Sequence, residues 1–207
     1  MEANDDFPLE FFDRQDPTPD DRFYQPDRFV THIDDGAIDA VGGLYAELGV
    51  DGEVLDLMSS WVSHFRLTPR RLVVLGMNER ELAANRQAAA LVVRDLNVDP
   101  TLPFEDESFD DATCCVSVDY LIRPVKVFAE VARVLRPGGR FVVTFSNRCF
   151  PDKVIRGWAM AEPEGHLEIV ARYFRLSGGF EEPTGQRRTA LTGFGDPLWA
   201  VWATRAS

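Results

Sequence analysis

Lysine is almost missing from this chain: of 22 basic residues, only Lys126 and Lys153 are lysines. The acids number 34, and the formal charge is -12. Clustered cations are what a protein needs to displace counterions from a phosphate backbone, so this balance excludes a nucleic-acid partner from the expectation. An acid-rich, lysine-poor surface of this kind is also what proteins of salt-loving microbes carry. Cysteine is scarce too, with Cys114, Cys115 and Cys149 forming an odd set without CxxC spacing, which argues against a disulfide framework or a zinc knuckle. Adjacent Cys114 and Cys115 would point to opposite faces of a strand and serve as buried structural residues. The recurring Asp pairs lack EF-hand spacing or a histidine partner, so no metal site is expected. No uncharged apolar run reaches the roughly 18 to 20 residues that cross a bilayer, and the acidic start "MEANDDFPLEFF" is unlike a secretory signal. A cytoplasmic protein with no membrane partner is the resulting expectation.

What is present is alternation. With 45% hydrophobic residues among 207, the chain can bury one substantial core. Residues 1 to 30, rich in Asp, Pro and aromatics, read as an irregular amino-terminal arm, and residues 31 to 207 as a single domain. "THIDDGAIDAVGGLYAEL" has apolar residues at helical spacing; "EVLDL", "RRLVVLGM", "AALVVRDL" and "FDDATCCVSV" are buried-strand candidates. "RPVKVFAEVARVL" predicts a helix, "RPGGRFVVTFSN" a turn and strand, and "HLEIVARYFRLSGGF" another helix that stops at Gly178 and Gly179. "FEEPTGQRR" and "PLWAVWATR" read as two closing strands. Such a succession predicts a parallel sheet covered on both faces, with an antiparallel carboxyl-terminal hairpin at one edge. Ligands of these sheets bind beyond the carboxyl ends of the strands.

The stretch from 102 to 147 adds a more specific signal. Leu102-Pro103-Phe104, Phe109-Asp110, the Pro124 turn, Arg133-Val134-Leu135 and Pro137-Gly138-Gly139 follow one another before the fifth strand. In this combination the chain resembles the class I S-adenosylmethionine-dependent methyltransferases of the small-molecule type. The resemblance, extended over roughly residues 36 to 205, implies a seven-stranded Rossmann-like three-layer α/β sandwich, the cofactor S-adenosylmethionine and a small-molecule acceptor. It also assigns strand-end positions to the cofactor: Asp56, Leu57, Met58, Ser59, Ser60 and Trp61 after the first strand, Asn78 after the second, Asp95 and Leu96 after the third, and Val118 after the fourth.

The chain departs from that family in two places. No glycine lies between Gly52 and Gly76, although a glycine-rich loop usually follows the first strand. A residue such as Met58 or Val62 forced into a left-handed conformation there would cost roughly 1 to 2 kcal/mol. The hydroxyls of Ser59 and Ser60 could substitute as donors to the methionyl carboxylate, and Trp61 could wall the pocket. Alternatively, Trp61 packs under the following helix and the serines cap it. The second departure is Asn78, which stands where the family has an acid for the ribose hydroxyls.

Catalytic identity is less determined, because methyl transfer from a sulfonium to a nucleophilic acceptor relies chiefly on alignment. His32, Asp119 and Tyr120 are the candidates, with His64 and His166 behind them. Asn147, Arg148 and the aromatics after the fifth strand could form an acceptor corner. The alternative function is a non-catalytic module of the same fold that binds another nucleotide-like ligand or a protein, and a homodimer is compatible with either. If the acidic surface is a salt adaptation, the melting temperature will climb as KCl rises toward molar concentration; a flat profile would exclude it.

Overall fold

The computed structural model describes residues 6–190 and 195–207. Seven strands form one sheet: β1 (Glu53–Leu57), β2 (Arg71–Gly76), β3 (Ala90–Val93), β4 (Phe109–Cys115), β5 (Leu135–Ser146), β6 (Thr184–Arg187) and β7 (Leu198–Thr204), in the order β3-β2-β1-β4-β5-β7-β6. The strands from β3 across to β5 run parallel. β7 is antiparallel to both β5 and β6, which gives the expected carboxyl-terminal hairpin.

The two faces are covered by different sets of elements. On one, α2 (Asp35–Leu48) packs Ala37, Val41, Leu44 and Tyr45 with Val54, Leu72 and Val74. Its amino terminus is capped by Asp34, whose side chain accepts from the Ala37 N–H at 2.8 Å, and it stops where Gly49 turns left-handed at φ 65°. The other face carries α4 (Pro124–Val134) and α6 (Gly165–Ser177), with Phe128, Val131, Tyr173 and Phe174 in the core. Cys114 faces this second layer and Cys115 the first, as adjacent strand residues should.

Helices do not alternate with strands as regularly as the sequence suggests. Residues 58 to 70, between β1 and β2, contain no helix, so the helix expected to follow Trp61 is absent. Only the six-residue α3 (Glu79–Ala84) joins β2 to β3, and turns alone join β3 to β4. β3 is consequently a thinly covered edge, with Leu91 and Val93 exposed.

The amino-terminal residues cross the surface near these gaps, and they are not wholly irregular, since α1 (Asp20–Tyr24) forms among them. Phe7 packs against Phe11, Phe12 and Tyr173. Arg14 bridges to Ile155, just before the short α5 (Arg156–Ala159). The firmest attachment is ionic: Lys153, fully buried, pairs with Asp16 at 2.9 Å and Asp20 at 3.2 Å and donates to the Thr18 carbonyl at 2.8 Å. Asp20, itself 3% exposed, also accepts from Arg14 and from Asn97. Removing one member of a buried charge cluster leaves the others uncompensated, at a cost of about 3 kcal/mol. Lys153→Ala is therefore expected to lower stability by that order in denaturant titration and to expose residues 14–30 to limited proteolysis; cleavage indistinguishable from the unaltered chain would rule out this attachment.

Candidate functional site

A cavity of about 310 Å³ lies beyond the carboxyl ends of β1 to β4, lined by Asp56 to His64, Gly76 to Asn78, Arg94 to Asn97 and Cys115 to Ser117. Asp20, Tyr24, Arg28, Val30, Thr31 and His32 from the amino-terminal segment line it as well. Its size falls at the lower end of the range for small-molecule pockets, and its position is where parallel α/β sheets bind ligands.

The loop after β1 achieves its turn without glycine. Met58 adopts φ 53°, the left-handed region that costs a side-chain-bearing residue about 1 kcal/mol. The Ser59 N–H then donates to the Leu75 carbonyl at 2.8 Å, drawing the loop against the end of β2. Gly76 permits this approach: a Cβ there would lie 2.3 Å from the Ser59 carbonyl oxygen. The glycine that this loop needs therefore sits on the neighbouring strand. Val116, at the end of β4, is also left-handed at φ 44°, a strained geometry for a β-branched residue and one that borders the cavity.

Asp56 stands under the loop rather than in it. Its carboxylate accepts from Ser59 Oγ at 2.7 Å, Ser63 Oγ at 2.6 Å and Thr113 Oγ1 at 2.7 Å. Burial raises its pKa, and the hydroxyls oppose that rise. The Ser59 hydroxyl is thus spent inside the protein. The Ser60 hydroxyl goes to Glu81 Oε2 at 2.5 Å, and Glu81 Oε1 accepts the Arg28 N–H at 2.6 Å. Trp61 donates its indole N–H to the Val30 carbonyl at 3.1 Å and meets Phe29 edge-on, so it holds the amino-terminal segment instead of lying under a helix. Leu57 is buried, while Met58 is partly buried against the core.

Asn78 is similarly occupied. Its Oδ1 caps α3 by accepting from Arg80 and Glu81, and its Nδ2 donates to the carbonyls of Tyr24 and Gln25 and to Asp27. Asp95 is less committed, since Oδ1 accepts from Asn97 and Val98 while Oδ2 accepts no hydrogen bond among the described residues. Burial, with the charge of Asp20 nearby, raises its pKa against those N–H donors. Leu96 lies beside it in the cavity wall. An acceptor oxygen next to an apolar wall suits an adenine amino group, so the residues present fit a nucleoside at the β3 end.

The catalytic candidates separate. Val118 and Asp119, in a single tight turn with Tyr120 (Val118–Tyr120), are buried below the cavity and do not line it. Asp119 Oδ2 has no hydrogen-bond partner among the described residues, and burial pushes its pKa up to about 8. Tyr120 does line the cavity; its hydroxyl accepts from the Phe150 N–H at 2.8 Å, and burial raises its pKa far above the ordinary tyrosine value. His32 meets Phe150 edge-on with ring centroids 5.2 Å apart. Although His32 is exposed by surface area, loss of water around the ring lowers its pKa, which leaves a neutral base at the cavity edge. His64 also lines the cavity and is lowered by burial. His166 lies elsewhere, stacked on Trp158 at 3.9 Å with Nε2 at 2.9 Å from the Trp158 carbonyl. Arg28, Glu81 and Asn97 carry no recognisable motif in the sequence, yet each borders the cavity and ties the amino-terminal segment to it.

Residues 56–143 match a family model described as a methyltransferase domain. Among curated proteins, the UbiE ubiquinone/menaquinone biosynthesis C-methyltransferase of Dinoroseobacter shibae is 39% identical over 77 residues, covering 34% of this chain and 31% of that protein. The demethylmenaquinone methyltransferase of Clavibacter sepedonicus is 39% identical over 64 residues, covering 30% of this chain and 26% of that protein. The match thus spans less than a third of either relative's own length. Among solved structures, the 1,6-didemethyltoxoflavin-N1-methyltransferase of Burkholderia thailandensis, with 1,6-didemethyltoxoflavin and S-adenosylhomocysteine bound, aligns with a TM-score of 0.60 at 19% identity, covering 84% of this chain and 80% of that one. A methyltransferase from Thermotoga maritima, described as a possible histamine N-methyltransferase, gives 0.59 at 16% identity, covering 82% of this chain and 90% of that one. The fold is that of the class I S-adenosylmethionine-dependent methyltransferases, and the segment from Asp56 to Val143 carries the methyltransferase-domain signature.

Asp119 supplies a test in solution. An acid whose pKa is raised in the folded state favours folding most below its unfolded value near 3.8 and loses that contribution as pH rises toward about 8. Asp119→Asn keeps the shape without the charge. It is expected to raise the melting temperature at pH 8 to 9 relative to the unaltered chain, with a smaller difference at pH 5; an equal effect at both would refute the buried, protonated carboxyl.

Proposed function

We propose that this protein is an S-adenosylmethionine-dependent methyltransferase that acts on a small-molecule acceptor by direct methyl transfer. One observation carries the reading: the cavity at the strand ends runs from Asp95 at β3 past the loop after β1 to Tyr120, and the amino-terminal segment forms part of its wall. The bound cofactor would supply an electrophilic methyl group on a sulfonium.

The chain's own residues have three tasks in this scheme. Asp95 Oδ2 and the backbone at Leu96 receive the adenine, with Asn78 near the ribose. Phe150, Tyr120 and His32 form an aromatic wall beyond β4 and β5 that would hold a flat acceptor near the reacting methyl. His32, neutral at physiological pH, can take a proton from an acceptor that must lose one. Closure by residues 20–32 excludes water, which strengthens every polar contact within, and positions the two reactants, which accounts for much of the rate in such transfers. A macromolecular acceptor would have to displace that closure, which favours a small one.

A second reading remains in view because one observation favours it. Ser59, Ser60 and Asn78 spend their polar groups within the protein, as a fold retained for another ligand would allow. Calorimetric titration with S-adenosylhomocysteine separates the two. The methyltransferase reading expects micromolar binding that Asp95→Ala weakens by about tenfold, roughly the 1.4 kcal/mol of one hydrogen bond to a charged group. A folded protein that binds neither S-adenosylhomocysteine nor S-adenosylmethionine at millimolar concentration would establish the non-catalytic module instead.

A further inference from the structure

Three arginines border the cavity, and they differ in what neutralises them. Arg94 pairs with Asp99 at 2.5 Å and Arg148 with Asp196 at 2.7 Å. Arg28 forms no ion pair among the described residues. Its guanidinium donates to the carbonyls of Phe23 at 2.7 Å and Pro26 at 3.3 Å, and lies 4.7 Å from the Phe23 ring centre, 5.9 Å from Tyr24 and 5.6 Å from Phe150. Five N–H donors in a planar fork are not satisfied by two carbonyls. In a chain with 34 acidic residues, a cavity-facing guanidinium without a carboxylate stands out.

None of the acids that line the cavity, Asp20, Asp56, Glu81 and Asp95, pairs with that guanidinium among the described residues. Asp56 is held by three hydroxyls, and Asp20 by Arg14, Lys153 and Asn97. Glu81 touches Arg28, but it takes the backbone N–H and not the guanidinium. Its other oxygen takes the Ser60 hydroxyl, so Arg28 and the loop after β1 are fastened to one carboxylate. That loop has no glycine, and the Ser59 N–H and both serine hydroxyls are already used. An anion reaching this end of the cavity would find no free hydroxyl on Ser59 or Ser60, and a guanidinium without a carboxylate in the cavity wall.

We propose that Arg28, carried in by the amino-terminal segment, binds the carboxylate at the methionyl end of the cofactor, a role that the engaged hydroxyls of Ser59 and Ser60 do not take. This rests on the cofactor reading above. The aromatic rings around the guanidinium fix its plane, so little side-chain entropy is lost when the fork meets a carboxylate.

The test compares two ligands on the full chain. S-adenosylhomocysteine carries the carboxylate, whereas 5′-methylthioadenosine has the same nucleoside and thioether without the amino-acid end. Arg28→Gln is expected to weaken S-adenosylhomocysteine by about 10- to 100-fold and to leave 5′-methylthioadenosine within about twofold, with Arg28→Lys falling between because it keeps charge but loses the fork. Retained 5′-methylthioadenosine binding and an unchanged melting temperature show that the variant is folded. Equal weakening of both ligands would mean that Arg28 serves the cavity wall only, and unchanged S-adenosylhomocysteine binding would mean that the carboxylate lies elsewhere; either result overturns the assignment. Binding of neither ligand by the unaltered chain would instead overturn the cofactor reading itself.

Discussion

The carboxylate of Glu81 joins two pieces of chain that the sheet alone would leave apart. One oxygen takes the Ser60 hydroxyl from the loop after β1, and the other takes the Arg28 N–H from the amino-terminal segment. Asn78 reinforces the join from the same turn of chain, capping α3 with one end of its amide and holding Tyr24, Gln25 and Asp27 with the other. Because no helix follows β1, this polar seam does the packing that a helix would otherwise do on that side of the sheet. A strand-end cavity with a roof is the consequence.

A glycine-rich loop offers backbone donors at little conformational cost. Here the turn is made by a strained Met58 and by a close approach over Gly76, and the Ser59 N–H and the hydroxyls of Ser59 and Ser60 are turned inward to Leu75, Asp56 and Glu81. Met58 and Val116 follow the adjacent strands β1 and β4, and both strained residues line the same cavity. Such strain persists where the surroundings over-determine it, and it concentrates at functional sites. The proposed role of Arg28 places recognition of the polar end of the ligand on the amino-terminal segment.

The sheet was readable from the sequence because continuous apolar runs can be buried only in such a sheet: "EVLDL" became β1 residue for residue, and the apolar spacing of α4 placed Val127, Val131 and Val134 in the core. The closing hairpin was readable for the same reason. What escaped depends on contacts between distant residues. Ser59, Ser60 and Trp61 suggested a remodelled ligand loop, but nothing local reveals that their donors meet Asp56, Glu81 and Val30. Arg28 sits in "PDRFV", a stretch with no motif, and its lack of a carboxylate partner is a tertiary fact. Asp119 is a catalytic candidate by sequence, yet the tight turn that begins at Val118 directs it into the core.

The amino-terminal segment lines the cavity, and as part of the ligand site it would respond to ligand rather than merely pack nearby. Hydrogen–deuterium exchange with and without saturating S-adenosylhomocysteine tests this most directly. Residues 20–32 and 57–61 are expected to gain protection together with residues 95–97. Protection confined to 95–97 and the strand ends, with residues 20–32 unchanged, would contradict it.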